Sequence, residues 1–538
     1  VRRLRDRLAQ AGLRDRAHGS DSDADAVVVW TDRPLPEALL DRLLEQARLG
    51  GPVVVLAGST LDRADTESAM AEAAGAWVSG ASPVHDVRLR PGPHAPADLL
   101  SGSHAHTSGA HLGEHAHVVD RVLVGDKVMA DVEVLLTAQL GLDAHPVATW
   151  RPSTRVLVWS LGTRPEAVDS RDVTRALVLT LRRALGLPGP APVRVGLLGY
   201  GAIGNEHSRA VRSVAGLELA AVADPVPGRL EDALRHAPDV RTFSTAEALL
   251  ADECLDLVVV STPPSTHAPW ALAALERGLH VVVEKPFALR TEEADAVLAA
   301  AAAQGRLAVV YQNRRFDPDH LAVRRLVRSG ALGEVFHLET FVGGYGHPCN
   351  LWHSDEGVSG GAFYDWGSHV LDQLLDLVPD EVLHVTATNH KRRWFDVTNA
   401  DHSRVTVRFA TGVEAEFVHS DLAAALKPRW YVLGTLGAVV GHWRTERVVG
   451  RTDIGTLAED VLAPADSPPR MELHAADGSV TRLATPPAPP YEFHRELAEQ
   501  VQLGLPMSVT GAQSRRVLAV MEAARGSAAD DGRPVAPR

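Results

Sequence analysis

Cysteine is almost absent from the chain: 538 residues contain two, Cys254 and Cys349. Two thiols cannot build a disulfide framework or a zinc site that needs several thiolates. No apolar run reaches about 18 residues, so no membrane-spanning helix is predicted. The opening VRRLRDRLAQAG is basic but lacks the apolar stretch of a signal peptide. A basic excess is missing too. The 54 Lys+Arg stand against 68 Asp+Glu, a net charge of -14, which argues against a general nucleic-acid binder. A dinucleotide is not excluded, because helix N-termini and backbone N–H groups hold phosphate locally. The expectation is a cytoplasmic protein acting on a small molecule, with neither membrane nor nucleic acid as partner.

What is present is ordinary globular composition, 45% hydrophobic and 23% charged. The length suggests about three or four domains. The first 187 residues alternate apolar runs with helical patterns. AVVVW (Ala26–Trp30), PVVVLAG (Pro52–Gly58) and RVLVWSLG (Arg155–Gly162) read as strands. LPEALLDRLLEQARLG and DVTRALVLTLRRALG read as helices. Such alternation predicts a mostly parallel sheet. GLPGPAP then breaks the pattern, with residues 188–192 as linker. Strand–helix alternation resumes over 193–311. From 312 to 538 the pattern is of alternating strands with short turns, predicting a large, mostly antiparallel open sheet, with a helix at GSHVLDQLLDLV and two more at the end.

Three short segments carry chemistry. Strand Val193–Leu198 is followed by Gly199-Tyr200-Gly201-Ala202-Ile203-Gly204 and a helix, and Asp224 ends the next strand. In a dinucleotide site the first glycine makes the turn, the second admits pyrophosphate and the third lets helix meet strand. Asp224 would accept the ribose hydroxyls and repel a 2′-phosphate, which favours NAD over NADP. The bland alternative is a structural turn. HVVVEKPFAL places Glu284, Lys285 and Pro286 at the end of a buried strand. A lysine there points at a ligand in the crevice beyond the sheet, or is a surface cation beside a turn. In GGAFYDWGSHVLDQLL, Asp365 and His369 stand four apart, on one helix face. They either converge on a substrate or make a surface contact.

Taken together, GYGAIG, TPPSTHA, EKPFAL, NRRFDP, the GG…D…GSH segment and GTLGA resemble the Gfo/Idh/MocA oxidoreductases, over roughly Val193 to Val535. The resemblance implies a Rossmann domain, then an α+β domain whose open sheet often builds dimers or tetramers. It implies NAD(P)-dependent dehydrogenation of a sugar, polyol or cyclitol, with Lys285, Asp365 and His369 as the catalytic set. Lys285 would hydrogen-bond the reacting oxygen. His369, with an ordinary pKa near ~6.5, would take the proton. Asp365 would position the substrate hydroxyl or the imidazole. Cofactor contacts are expected from Gly199, Gly201, Ala202, Ile203, Gly204, Asp224, Thr262, Pro263, His267, Glu284 and Lys285. Arg314, Tyr345, His347, Trp352 and His353 are candidates for the substrate pocket. The rival reading is a non-catalytic NAD-binding sensor, which would have no need of all three catalytic residues.

The front segment is similar to the ThuA-like domain, a flavodoxin-like relative of class I glutamine amidotransferases, through DVEVLLTAQLGLDAHPVATWRPSTRVLVWSLGTRPEAV. Glutaminase chemistry needs a nucleophilic cysteine, and residues 1–187 have none. Two histidines common in that family are replaced here, in Ala57-Gly58-Ser59 and Ser160-Leu161-Gly162-Thr163. The His-rich stretch with His104, His106, His111, His115 and His117 has metal-binding spacing. Its Gly, Ser and Ala content reads as a solvated loop, and no metal site is assigned.

Overall fold

The structure is a computed structural model. It describes residues 27–31, 53–57, 76–81, 85–91, 93, 116–120, 123–128, 130–140, 143–159 and 171–184, and from 187 on all except 349–351, 444, 453–454, 463–468 and 486–489. Packing divides the chain into two units.

The first unit comprises Val1–Val193 with Arg212–Leu217 and His494–Met507. Its strands are β1 (Val27–Thr31), β2 (Val53–Ala57), β3 (Ala76–Ala81), β4 (His85–Pro91), β5 (Ala116–Asp120), β6 (Leu123–Val128), β7 (Glu133–Leu140), β8 (Asp143–Arg151) and β9 (Val156–Trp159), followed by helix α1 (Arg171–Ala184). Seven form one sheet in the order β1-β2-β9-β8-β7-β4-β5, and β3 pairs with β6. The expected mostly parallel sheet is not what forms. β1/β2 and β2/β9 are parallel, whereas β9/β8, β8/β7, β7/β4 and β4/β5 are antiparallel. The reason is the short connection from Leu140 to Asp143, which can only return the chain antiparallel. The predicted helix at 35–50 and His104, His106, His111 and His115 lie outside the described residues. Leu503 and Leu505 join Leu135, Leu157 and Trp159 in this unit's core. Nearby, Arg171 bonds Glu499 and donates to the carbonyl of Glu496.

The second unit begins with a parallel sheet. Its strands are β10 (Val193–Leu198), β11 (Leu217–Ala223), β12 (Arg241–Phe243), β13 (Leu257–Val260), β14 (His280–Val283) and β15 (Ala308–Val310). They are interleaved with α2 (Ala202–Ser213), α3 (Pro227–His236), α4 (Ala246–Leu250), α5 (His267–Glu276) and α6 (Thr291–Gln304). The order β12-β11-β10-β13-β14-β15 is that of a doubly wound fold. Unbroken apolar runs explain it: Leu257–Val260 and Val281–Val283 are wholly buried, as strands covered on both faces must be. The order reverses between β10 and β13, so a ligand crevice is expected beyond Leu198 and Val260.

After α7 (Pro318–Ser329) comes a mixed sheet. It is built from β16 (Val335–Gly343), β17 (Val382–His390), β18 (His402–Phe409), β19 (Glu414–Ser420), β20 (Trp430–Gly434), β21 (Gly437–His442), β24 (Arg470–Ala475) and β25 (Val480–Arg482). β22 (Thr445–Thr452) and β23 (Gly455–Leu462) form a separate hairpin. In the order β17-β18-β19-β16-β20-β21-β24-β25, only β16/β19 is parallel. Helices α8 (Glu356–Ser359), α9 (Ala362–Leu377), α10 (Glu492–Leu503) and α11 (Gly511–Ala529) complete the chain. Two antiparallel steps from β17 to β19 make β16, β17 and β19 run the same way. The segments that leave Gly343, His390 and Ser420 therefore emerge at one edge of the sheet.

Candidate active site

The glycine turn has the shape a dinucleotide requires. Gly199 has φ +92°, and a Cβ there would lie 2.5 Å from the Ser261 carbonyl oxygen. A Cβ on Gly204 would lie 2.3 Å from the Gly199 oxygen. Gly201 is different, since a Cβ there meets nothing within 4 Å. Two glycines are forced by packing, and the third leaves an open cradle above the start of α2, where Ala202 and Ile203 begin the helix. Asp224 closes the arrangement from the end of β11, its Oδ2 accepting the Tyr200 N–H at 2.8 Å. These residues fit a dinucleotide.

At the end of β14, Glu284 is buried and orients its neighbours. Its Oε1 lies 2.8 Å from His207 Nε2, and its Oε2 accepts the Lys285 N–H at 3.0 Å. The Lys285–Pro286 peptide is cis. His267 is buried, with its ring nitrogens 2.7 Å from the Pro286 oxygen and 2.8 Å from the Thr262 oxygen. It ties the end of β13 to the lysine turn. Thr262 Oγ1 accepts from Thr266 at 2.8 Å, and Pro263 caps the short turn before α5.

Helix α9 brings the rest. Gly360 and Gly361, at φ +83° and +96°, admit the chain to its first turn, where a Cβ on Gly360 would strike the Tyr364 ring. The i, i+4 spacing then sets Asp365, His369 and Gln373 on one face. Lys285 Nζ is hydrogen-bonded to Asp365 Oδ1, across 80 residues of sequence. Burial pushes the Asp365 carboxyl up, but Lys285, with His353 and His419, outweighs it and holds the group below its ordinary value. His369 is held well below the usual histidine range by burial, then by Lys285, Arg314 and Arg429. Its Nδ1 is buried without a hydrogen-bond partner among the described residues. The unshifted value expected from sequence is therefore replaced by a neutral imidazole.

The substrate candidates divide. Arg314 stacks over Trp366 at 4.8 Å and pairs with Asp317 at 3.3 Å, whose carboxyl burial raises to about 7. His353 stacks on Trp352 at 3.6 Å, and the charges of Lys285 and Asp365 bear on its imidazole. Tyr345 is exposed beside Arg393, and His347 Nε2 is 2.7 Å from Asp396.

Three residues were not singled out from sequence. Gln373 donates to the Arg314 carbonyl at 2.6 Å and accepts from Arg429 at 2.5 Å; its helical spacing from His369 was the available signal. Arg429 packs on Trp443 at 4.4 Å and burial lowers its pKa to about 10. His419, next to last in β19, is pushed down to about 4 by burial, with Asp365 opposing. No local pattern marks either. Among the described residues no cluster of three His, Cys, Asp or Glu could hold a metal ion, and no helix is long and apolar enough to cross a membrane.

Comparison with known proteins adds an independent line. Residues 193–312 match the model of the Gfo/Idh/MocA oxidoreductase family, NAD-binding Rossmann fold, and 320–440 that of the GFO/IDH/MocA C-terminal domain. The chain is 28% identical to a scyllo-inositol 2-dehydrogenase (NADP(+)) of Bacillus subtilis over 345 residues, 62% of this chain and 93% of the relative. It is 34% identical to an inositol 2-dehydrogenase of Rhizobium meliloti over 255 residues, 46% of this chain and 76% of the relative. Among solved structures, an NAD-binding protein from Listeria innocua superposes with TM-score 0.54 at 27% identity, covering 64% of this chain and 96% of that one.

Proposed function

The chain belongs to the Gfo/Idh/MocA family of NAD(P)-dependent oxidoreductases, and from there we propose that it oxidises or reduces a secondary alcohol of a cyclitol, with sugars and other polyols as the wider class. The observation that carries this reading is the Lys285–Asp365 contact beside a neutral His369. Relatives named as inositol dehydrogenases support the cyclitol. NAD is the proposed cofactor, held by Gly199, Gly201, Gly204 and Asp224. Bound there, its nicotinamide would accept or return the hydride.

The chain's own groups then handle orientation and the proton. An ammonium has three donors. Asp365 takes one from Lys285, which fixes the head group and leaves two for the reacting oxygen. His369, neutral and with Nδ1 shut in, presents Nε2 as the proton acceptor when the hydroxyl is oxidised, and as donor in the reverse direction. Arg314 and Arg429 discourage a second positive charge on that ring. Trp352, His353 and Trp366 supply flat surfaces suited to a ring-shaped polyol. For residues 1–187 no glutaminase activity is proposed, since they contain no cysteine. A homo-oligomer through the sheet face bearing Tyr431 and the Arg404–Glu416 pair is the proposed assembly.

A screen of inositols and sugars with NAD, read by absorbance of the reduced cofactor, tests this. Turnover of an inositol supports it. Inertness toward all of them, with dinucleotide still bound, counts against it and favours a sensor.

A further inference from the structure

A cavity of about 230 Å³ lies against the first turn of α9, at Phe363 and Tyr364, and neither Asp365 nor His369 lines it. Its other walls are β17, β18 and α11. In β18 the alternate residues Ser403, Val405 and Val407 are buried, so a serine stands where the period-2 pattern calls for an apolar side chain. Ser403 is 1% exposed and lines the cavity, yet its Oγ has no hydrogen-bond partner among the described residues. Asn399, 4% exposed, supplies a second such atom. Its Nδ2 donates to the His353 oxygen at 2.8 Å, which orients the amide and leaves Oδ1 unpartnered. A Cβ on Gly361, which lines the cavity, would lie 3.9 Å from that Oδ1. A buried oxygen without a partner is costly. Two of them at one cavity point to a bound molecule that brings hydroxyl hydrogens.

Charge narrows the class of that molecule. Lys391 and Arg525 line the cavity, but each already faces an acid. Lys391 Nζ donates to Asp401 Oδ1 at 3.1 Å, and Arg525 Nη2 lies 3.5 Å from Glu522 Oε1. Glu356 adds a carboxylate to the lining, so an anion would meet offset cations and a like charge. Carbon surface from Phe363, Ala387 and Val405 lies between the polar groups, which suits a compound whose hydroxyls surround a C–H face. We infer that the cavity is a second ligand site, for a neutral polyhydroxylated molecule of monosaccharide size. One ligand hydroxyl donates to Asn399 Oδ1, and another bonds Ser403 Oγ. Lys391 spends two of its three donors on Asp401 and the Asn399 carbonyl, and the third serves a ligand oxygen. This site does not depend on the dehydrogenase reading.

The test is calorimetric titration of the full chain with myo-inositol and with inorganic phosphate, for the unaltered protein, Ser403→Val, Asn389→Trp and Lys285→Ala, each checked for folding by its melting curve. Ser403→Val removes the buried hydroxyl. Asn389 is exposed and lines the cavity, so a tryptophan there covers the entrance without disturbing the core, and it keeps the test decisive if Ser403→Val does not fold. The unaltered protein should show a myo-inositol site that either substitution weakens by about tenfold or more and that Lys285→Ala leaves within about threefold. Phosphate should not displace myo-inositol from it. The inference is overturned if myo-inositol does not bind, if a folded Ser403→Val or Asn389→Trp leaves all myo-inositol binding unchanged, or if phosphate displaces it, which would make this an anion site. Inositol turnover without such a site sinks this inference and leaves the dehydrogenase reading standing. Such a site without turnover does the reverse.

Discussion

His369 sits under three cations. Lys285, Arg314 and Arg429 add to a burial that already disfavours its charged form. The consequence is directional. The neutral, proton-accepting ring persists to lower pH than an ordinary histidine near ~6.5 allows. The acid limb of kcat/KM, which reports the free enzyme's essential base, should thus fall clearly below pH 6.5. A pH–rate profile checks this, and an acid limb at or above 6.5 would place the base elsewhere. His369→Ala should cost about 100- to 10,000-fold in kcat while dinucleotide titration stays within a few-fold. Partial recovery at high pH, where hydroxide takes the proton, is expected.

At the scale of elements, two turns do the positioning. In the glycine turn the same substitution has opposite meanings at two positions. Gly204→Ala forces a Cβ to 2.3 Å from a backbone oxygen, so the turn must open and the melting temperature should drop by several degrees. Gly201→Ala meets no neighbour. It should melt like the unaltered protein yet bind NADH about tenfold more weakly, because the methyl group fills the cradle. Calorimetric melting beside NADH titration separates the two. This turn was legible in sequence, because strand, glycines, helix and acid lie within about thirty residues. So was the Asp365/His369 face, for which helical periodicity suffices. The contact of Lys285 with Asp365 was legible only through family resemblance, as it spans 80 residues. Arg429 was not legible at all: its place beside Gln373 follows from strand order in the mixed sheet. The neighbours of His267, the carbonyl oxygens of Pro286 and Thr262, were not legible either, because the first lies 19 residues away across the lysine turn.

At the scale of the whole molecule, the sequence order of segments is not their order in space. Residues 494–507 follow the catalytic sheet in the chain yet pack in the first unit. Leu503 and Leu505 are buried there, and Glu499 bonds Arg171. A fragment starting near Pro192 would expose two leucines, at about 1.5–3 kcal/mol each, and strip a buried carboxylate of its arginine. It should melt well below the full chain and tend to associate; calorimetry and light scattering check this. An equally stable, monodisperse fragment would show that the front unit contributes nothing to the fold of the rest. The claim on which the whole account depends is that Lys285 acts on the reacting oxygen. Its most direct test is the steady-state oxidation of an inositol by the full chain and by Lys285→Ala, each beside an NADH titration. The account predicts a fall in kcat of about 100-fold or more with NADH affinity changed by less than about threefold. Turnover by Lys285→Ala at the rate of the unaltered protein would contradict it.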